Sequence, residues 1–145
     1  MSSQEYLVYL DASVILRAVR EESIATRTWL LDQQDNHGAT FVASRLMSVE
    51  VHRVMRRAGL NTDVAERYLA TVALIEVTKE LCENAIALPH TLSGADSIHL
   101  ATALALPYQA VLATHDRELA SAAQATHRLT VVDPVTDDLN SLPVA

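Results

Sequence analysis

EYLVYLDASVIL, residues 5–16, runs as an apolar strand-like segment and ends, where a strand gives way to a helix, in an aspartate followed two residues on by a small hydroxyl side chain. Two readings of Asp11 compete. It can cap the helix, accepting hydrogen bonds from the free N–H groups of the first turn at the positive end of the dipole. Or it can be a metal ligand at the carboxyl end of a buried strand, where open α/β sheets place their chemistry. One residue does not decide between them, so the rest of the chain must.

The same switch of period recurs. Short β-like runs fall at 5–10, 39–43, 74–78, 110–114 and 129–132, separated by longer stretches of helical period. Such alternation predicts an α/β domain with a mainly parallel central sheet of four or five strands flanked by helices, because a parallel connection needs a crossover long enough to hold a helix. The domain is expected over 1–133. The acidic, proline-punctuated end, DPVTDDLNSLPVA, predicts a loose tail or surface strap over 134–145.

Composition narrows the class. With 145 residues, 50% of them hydrophobic and only 3 Gly and 4 Pro, the chain predicts one compact domain with a real core. Cys82 is the single cysteine, which excludes an internal disulfide and a cysteine-based zinc site and points to a reducing compartment, the cytosol by default. The N-terminus carries no basic leader, and no apolar run nears the ~20 residues that span a bilayer, so no membrane role is expected. A net charge of −7 argues against a broad basic face for nucleic acid. A small basic rim remains open, since Arg45, Arg53, Arg56 and Arg57 crowd into residues 44–57, where solvated surface is the plainer reading.

Three more carboxylates share the ambiguity of Asp11. After TFVA, Ser44 suits an N-cap and Gly59 a helix stop. Met47, Val51, Val54, Met55 and Ala58 form the predicted core stripe, with Glu50, Arg53 and Arg57 on a neighbouring face. Glu50 is then either an i,i+3 partner of Arg53, worth a few tenths of a kcal/mol, or an acid beside the core. LSGADSIHLATALAL, residues 92–106, predicts a buried helix in which Ser93 and Asp96 resemble a capping box. His99, one turn on, reads as a packed, hydrogen-bonded core histidine rather than a ligand. In AVLATHDRELASAA, residues 110–123, Asp116 follows a strand ending in Thr114 and could cap the next helix.

Taken together, two strand-ending aspartates, a helix-starting aspartate and Glu50 can converge at one edge of a parallel sheet. Like charges so close repel and raise each other's pKa. A hard divalent cation, Mg²⁺ or Mn²⁺, resolves the conflict through oxygen ligands, and the chemistry it supports is hydrolysis of a phosphodiester bond.

In order, YLDASVILR, SRLMSVEVHRVMRR, SGADSIHLATALAL and LATHDRELASAA resemble the motifs of PIN-domain ribonucleases, and within them the VapC-type toxins of bacterial toxin–antitoxin pairs; the likeness runs to about Val132. The resemblance implies a Mg²⁺- or Mn²⁺-dependent endoribonuclease with Asp11, Glu50, Asp96 and Asp116 as catalytic acids and Asp11, Asp96 and Asp116 as metal ligands. It implies that Ser13 and Thr114 orient ligands or phosphate from one layer out, and that Arg45, Arg53 and Arg57 contact RNA or antitoxin. It further implies a homodimer, a VapB-type antitoxin and structured tRNA or rRNA loops as substrate. An always-charged Arg from the partner, carried by a segment wrapped over apolar surface near residues 44–72, is the expected inhibitor of an acidic pocket. Two rivals are a non-catalytic binding module of the same fold and, more distantly, a haloacid-dehalogenase-like phosphatase or receiver domain. Ser13 and the position of Lys79, the sole lysine, fit the second group poorly.

Overall fold

The computed structural model describes residues 6–107 and 109–134. Five strands, β1 (Tyr6–Leu10), β2 (Ala39–Ser44), β3 (Val72–Ile75), β4 (Val111–Ala113) and β5 (Thr130–Val132), make one sheet in the order β3-β2-β1-β4-β5, with every pairing parallel. Each crossover contains helix: α1 (Ala12–Val19) and α2 (Ile24–His37), then α3 (Arg45–Arg57) and α4 (Asp63–Leu69), then α5 (Lys79–Ile86) and α6 (Gly94–Leu104), and finally α7 (Arg117–Ala125). The α/β expectation therefore holds, with five strands. Among the described residues no helix is long and apolar enough to cross a membrane.

The core lies where the pattern put it. Val8, Tyr9 and Leu10 are buried on both faces of the central strand, as a parallel strand sandwiched by helices requires. In α3, Met47, Val51 and Met55 are buried and Val54 is partly so, but Ala58 is exposed. It stands at the C-cap, where the chain is leaving the helix, and Gly59 follows at φ +68, the left-handed turn that ends helices at least cost. The third strand begins two residues earlier than its apolar run suggests and stops at Ile75. Thr78 caps α5 through Leu81 N–H, so the chain must leave the sheet before Val77. Of the expected tail only Pro134 falls within the described residues.

The strand order reverses between β1 and β4. One crossover series runs outward from β1 through β2 to β3, and the other from β4 to β5, which opens a crevice at the carboxyl ends of β1 and β4. Asp11 follows β1 there, and Thr114 to Asp116 follow β4.

Candidate active site

Asp11 occupies the N-cap position of α1 with extended backbone angles (φ −77, ψ 153), yet its side chain caps nothing. Its N–H donates instead to Ala113 C=O at 3.1 Å, continuing the ladder between β1 and β4. The residue is 5% exposed, and burying such a charge costs several kcal/mol unless donors surround it. Two hydroxyls supply them: Ser13 Oγ donates to Oδ2 at 2.7 Å and Thr114 Oγ1 donates to the same oxygen at 2.9 Å. Each hydroxyl also accepts a backbone N–H from the loop after β4, Ser13 from His115 at 3.0 Å and Thr114 from Asp116 at 2.9 Å. The two strand ends are thus tied through Asp11, and Oδ1 is left for other work. The capping reading of Asp11 fails.

For Asp116 it succeeds. Oδ1 accepts from Glu118 N–H at 2.9 Å and Leu119 N–H at 3.2 Å at the start of α7. The cap fixes the carboxylate and leaves Oδ2 outside it. Asp96 sits in the first turn of α6, its N–H capped by Ser93 Oγ at 3.1 Å, half of the expected capping box. Partial burial, a hydrogen bond donated by the protonated Asp96 to the neighbouring Asp116 carboxylate and the charges of Asp116 and Asp11 push the Asp96 carboxyl up from an ordinary 3.8 to about 7. Three aspartates from three segments are therefore close enough to feel one another.

Glu50 is turned toward the same place, and not toward Arg53. Its Oε1 lies 2.5 Å from His99 Nε2, and Asp11 Oδ1 lies 3.7 Å from that nitrogen on the other side. His99 is fully buried. Burial alone would lower its pKa, but the hydrogen bond to Glu50 and the charges of Asp11, Glu50 and Asp96 outweigh it and raise the value above the usual histidine range. His99 is a core histidine, as its surroundings in sequence suggested, and at the same time a wall of the site. Its other nitrogen, Nδ1, meets the Tyr9 hydroxyl at 2.6 Å. The phenol, buried and beside Asp11 and Glu50, stays protonated at any ordinary pH.

Among the described residues no Arg or Lys pairs with Asp11, Glu50, Asp96 or Asp116; the cations nearest in sequence to Glu50 are otherwise disposed, Arg45 on Glu76 at 2.6 Å, and Arg53 and Arg57 exposed. The donor set facing the crevice is all oxygen, and its charge is uncompensated apart from His99, which is the condition that a hard divalent cation relieves. As the side chains stand, no three His, Cys, Asp or Glu residues among those described are arranged to hold a metal ion. Asp96 leans on Asp116 and Glu50 on His99, so the carboxylates are held by one another and by the histidine rather than disposed around one ion. The residues fit the ion in kind.

Away from the acids, Ile15, Leu30, Leu31, Phe41, Val64 and Tyr68 line an apolar groove of about 340 Å³ beside α2 and α4, rimmed by Arg27 and Arg67.

Comparison with known proteins agrees with the fold. The PIN domain matches residues 8–125. The chain is 33% identical over 136 residues to "Ribonuclease VapC45" of Mycobacterium tuberculosis (strain CDC 1551 / Oshkosh), covering 82% of this chain and 90% of the relative. In structure it is similar to VapBC2 of Rickettsia felis, solved bound to a DNA fragment from its promoter (TM-score 0.69, 13% identity, 88% of this chain and 98% of the other). It is also similar to a toxin–antitoxin complex from Klebsiella pneumoniae (TM-score 0.66, 20% identity, 88% and 97%).

Proposed function

This chain belongs to the PIN domain family, and from that premise we propose that it is the toxin of a type II toxin–antitoxin pair, an endoribonuclease that uses Mg²⁺ or Mn²⁺ to hydrolyse phosphodiester bonds in RNA and so arrests growth. The observation that carries the reading is the nearness of Asp11, Asp96, Asp116 and Glu50 at the crevice between β1 and β4, with no Arg or Lys among the described residues paired to them. Relatives named ribonuclease add support.

Asp11, Asp96 and Asp116 would hold the cation. Bound there, it would acidify a water and neutralise charge on the phosphate oxygens. The chain's own residues do the rest. Ser13 and Thr114 fix the rotamer of Asp11, so that one carboxylate oxygen faces the crevice. The α7 cap does the same for Asp116. Asp96 would give up its proton to solvent to serve as a ligand. Glu50, part-exposed at the mouth of the crevice, accepts the proton of the attacking water as general base.

The substrate class, tRNA or rRNA loops, follows from the family resemblance. So do a homodimer, a cytoplasmic setting and a VapB-type partner; complexes of toxin with antitoxin among the structural neighbours support the last. The apolar groove beside α2 and α4 suits an amphipathic partner segment, whose Arg would then enter the acidic crevice. Arg53 and Arg57 remain free to meet RNA or partner.

The test is to sequence new RNA 5′ ends after brief induction of the wild type and of Asp11→Asn. A discrete cut site present only with the wild type supports the assignment and names the substrate. Identical RNA profiles in the two strains would reject it and leave a non-catalytic binding module of the same fold.

A further inference from the structure

Glu50 does not stand alone at the crevice; a chain of hydrogen bonds leads to it from its own helix. Ser44 caps α3, and the Ser44 N–H donates to the Tyr9 hydroxyl at 3.0 Å. Tyr9, buried in β1, meets His99 Nδ1 at 2.6 Å, and the two rings pack edge to face with centroids 5.8 Å apart. His99, buried in α6, reaches Glu50 Oε1 through Nε2 at 2.5 Å, and Glu50 lies in the second turn of α3. The path leaves α3 at its cap, crosses β1 and α6, and returns to α3.

The chemistry of the path fixes which atom carries the proton. With Tyr9 donating to Nδ1, the neutral ring must be protonated at Nε2. With the ring doubly protonated, Nδ1 donates to the Tyr9 oxygen and Nε2 still carries hydrogen. Both forms present an N–H to Glu50. The remaining tautomer would set two bare acceptors face to face at 2.5 Å.

We infer that His99, held by Tyr9, is the positioning residue that fixes Glu50 as the base at the crevice and keeps its carboxylate off the cation. This rests on the ribonuclease reading above. A free glutamate at a cleft mouth has three rotatable bonds and would swing onto any bound divalent ion; one oxygen tied to a buried imidazole leaves the other to face water. The ordering is made at folding and not at each turnover.

Asparagine and glutamine separate the two ends of the imidazole. His99→Asn places an amide near Nδ1 and keeps a partner for Tyr9, but falls short of Glu50. His99→Gln extends an N–H donor to the place of Nε2. On a common RNA substrate with Mn²⁺, His99→Asn is expected to lower kcat by roughly 10- to 100-fold, with KM for RNA and the half-saturating Mn²⁺ concentration within about threefold of wild type, and His99→Gln to recover most of the lost kcat. Equal loss in both variants would overturn the role, as would a loss in His99→Asn that excess Mn²⁺ repairs, since Glu50 would then be a ligand.

Nitrogen-15 spectra of the wild-type histidine rings need neither variant. They should give a protonated Nε2 at His99 whose proton moves upfield in Glu50→Gln; a bare Nε2, or a proton indifferent to Glu50, refutes the inference. Wild-type protein silent toward RNA removes the functional reading and with it any base to position. Active wild type with both His99 variants fully active removes the positioning role alone.

Discussion

Replacing Asp96 by Asn should make the metal-free protein more stable at alkaline pH, because the wild-type carboxyl is held protonated by its surroundings. Its folded pKa is about 7 against an ordinary 3.8, with burial as the first cause and the Asp116 and Asp11 carboxylates next. Below 3.8 both folded and unfolded chains carry the proton and nothing is lost. Between the two values the unfolded chain ionises while the folded one does not, so stability falls as pH rises, and above about 7 the full penalty stands. The gap between the values would correspond to ~4 kcal/mol. The carboxyl is only partly buried, and solvent screening reduces this to ~1–2 kcal/mol. Asparagine cannot ionise and keeps the N–H that Ser93 caps. Thermal melts in EDTA between pH 4.5 and 8 should therefore show the variant gaining on wild type as pH rises, by about 2–8 °C at pH 8. Adding Mn²⁺ at pH 8 should reverse the order, since only the wild type presents three aspartates. A variant that melts below wild type at pH 8 in EDTA, or both proteins gaining equally from Mn²⁺, would refute the like-charge argument.

Thr114→Val removes the donor to Asp11 and the acceptor for Asp116 N–H together; chemical denaturation should report a loss of about 1–3 kcal/mol, and Mn²⁺ titration a weakening of roughly 10- to 100-fold. At pH 4.5, where Asp96 keeps its proton and the like-charge penalty is small, Asp116→Ala should lower stability by about 1 kcal/mol even without metal, because it removes a true helix cap, whereas Asp11→Asn removes no cap; paired melts in EDTA distinguish the two. Leu31→Asp, exposed on the groove beside α2 and α4, should abolish copurification with the antitoxin while leaving RNA cleavage within about twofold of wild type, as measured by paired pull-down and cleavage assays.

The fold was legible because its signal is local and repeated. Each strand is a short apolar run, each crossover a helical stripe, and Ser44, Gly59, Ser93 and Asp116 punctuate them as their side chains dictate. The third strand ends before its apolar run does, since the run continues past the sheet to Val77 and only the Thr78 cap tells the chain where to leave. Aspartates at the ends of β1 and β4 could be read from the same local logic. The partner of Glu50 could not. Helical spacing offers Arg53, three residues on, while the side chain bonds to His99, 49 residues away, and no pattern within α3 carries that information. Tyr9 hid for the same reason: in a strand buried on both faces an aromatic residue reads as packing, and its hydroxyl matters only once β1, α3 and α6 are assembled. A faint signal existed in the spacing of Asp96 and His99, one turn apart on a helix with few other polar groups.

The central claim is that the acids between β1 and β4 hold a divalent cation for RNA hydrolysis, and cleavage of total RNA by the purified, antitoxin-free protein tests it most directly. Wild type with Mn²⁺ should yield discrete fragments. EDTA should abolish them and restored Mn²⁺ should return them, while Asp11→Asn, folded to the same melting temperature or higher, should lose at least about a hundredfold in rate. Undiminished cleavage by Asp11→Asn, or by wild type thoroughly stripped of metal, would contradict the account.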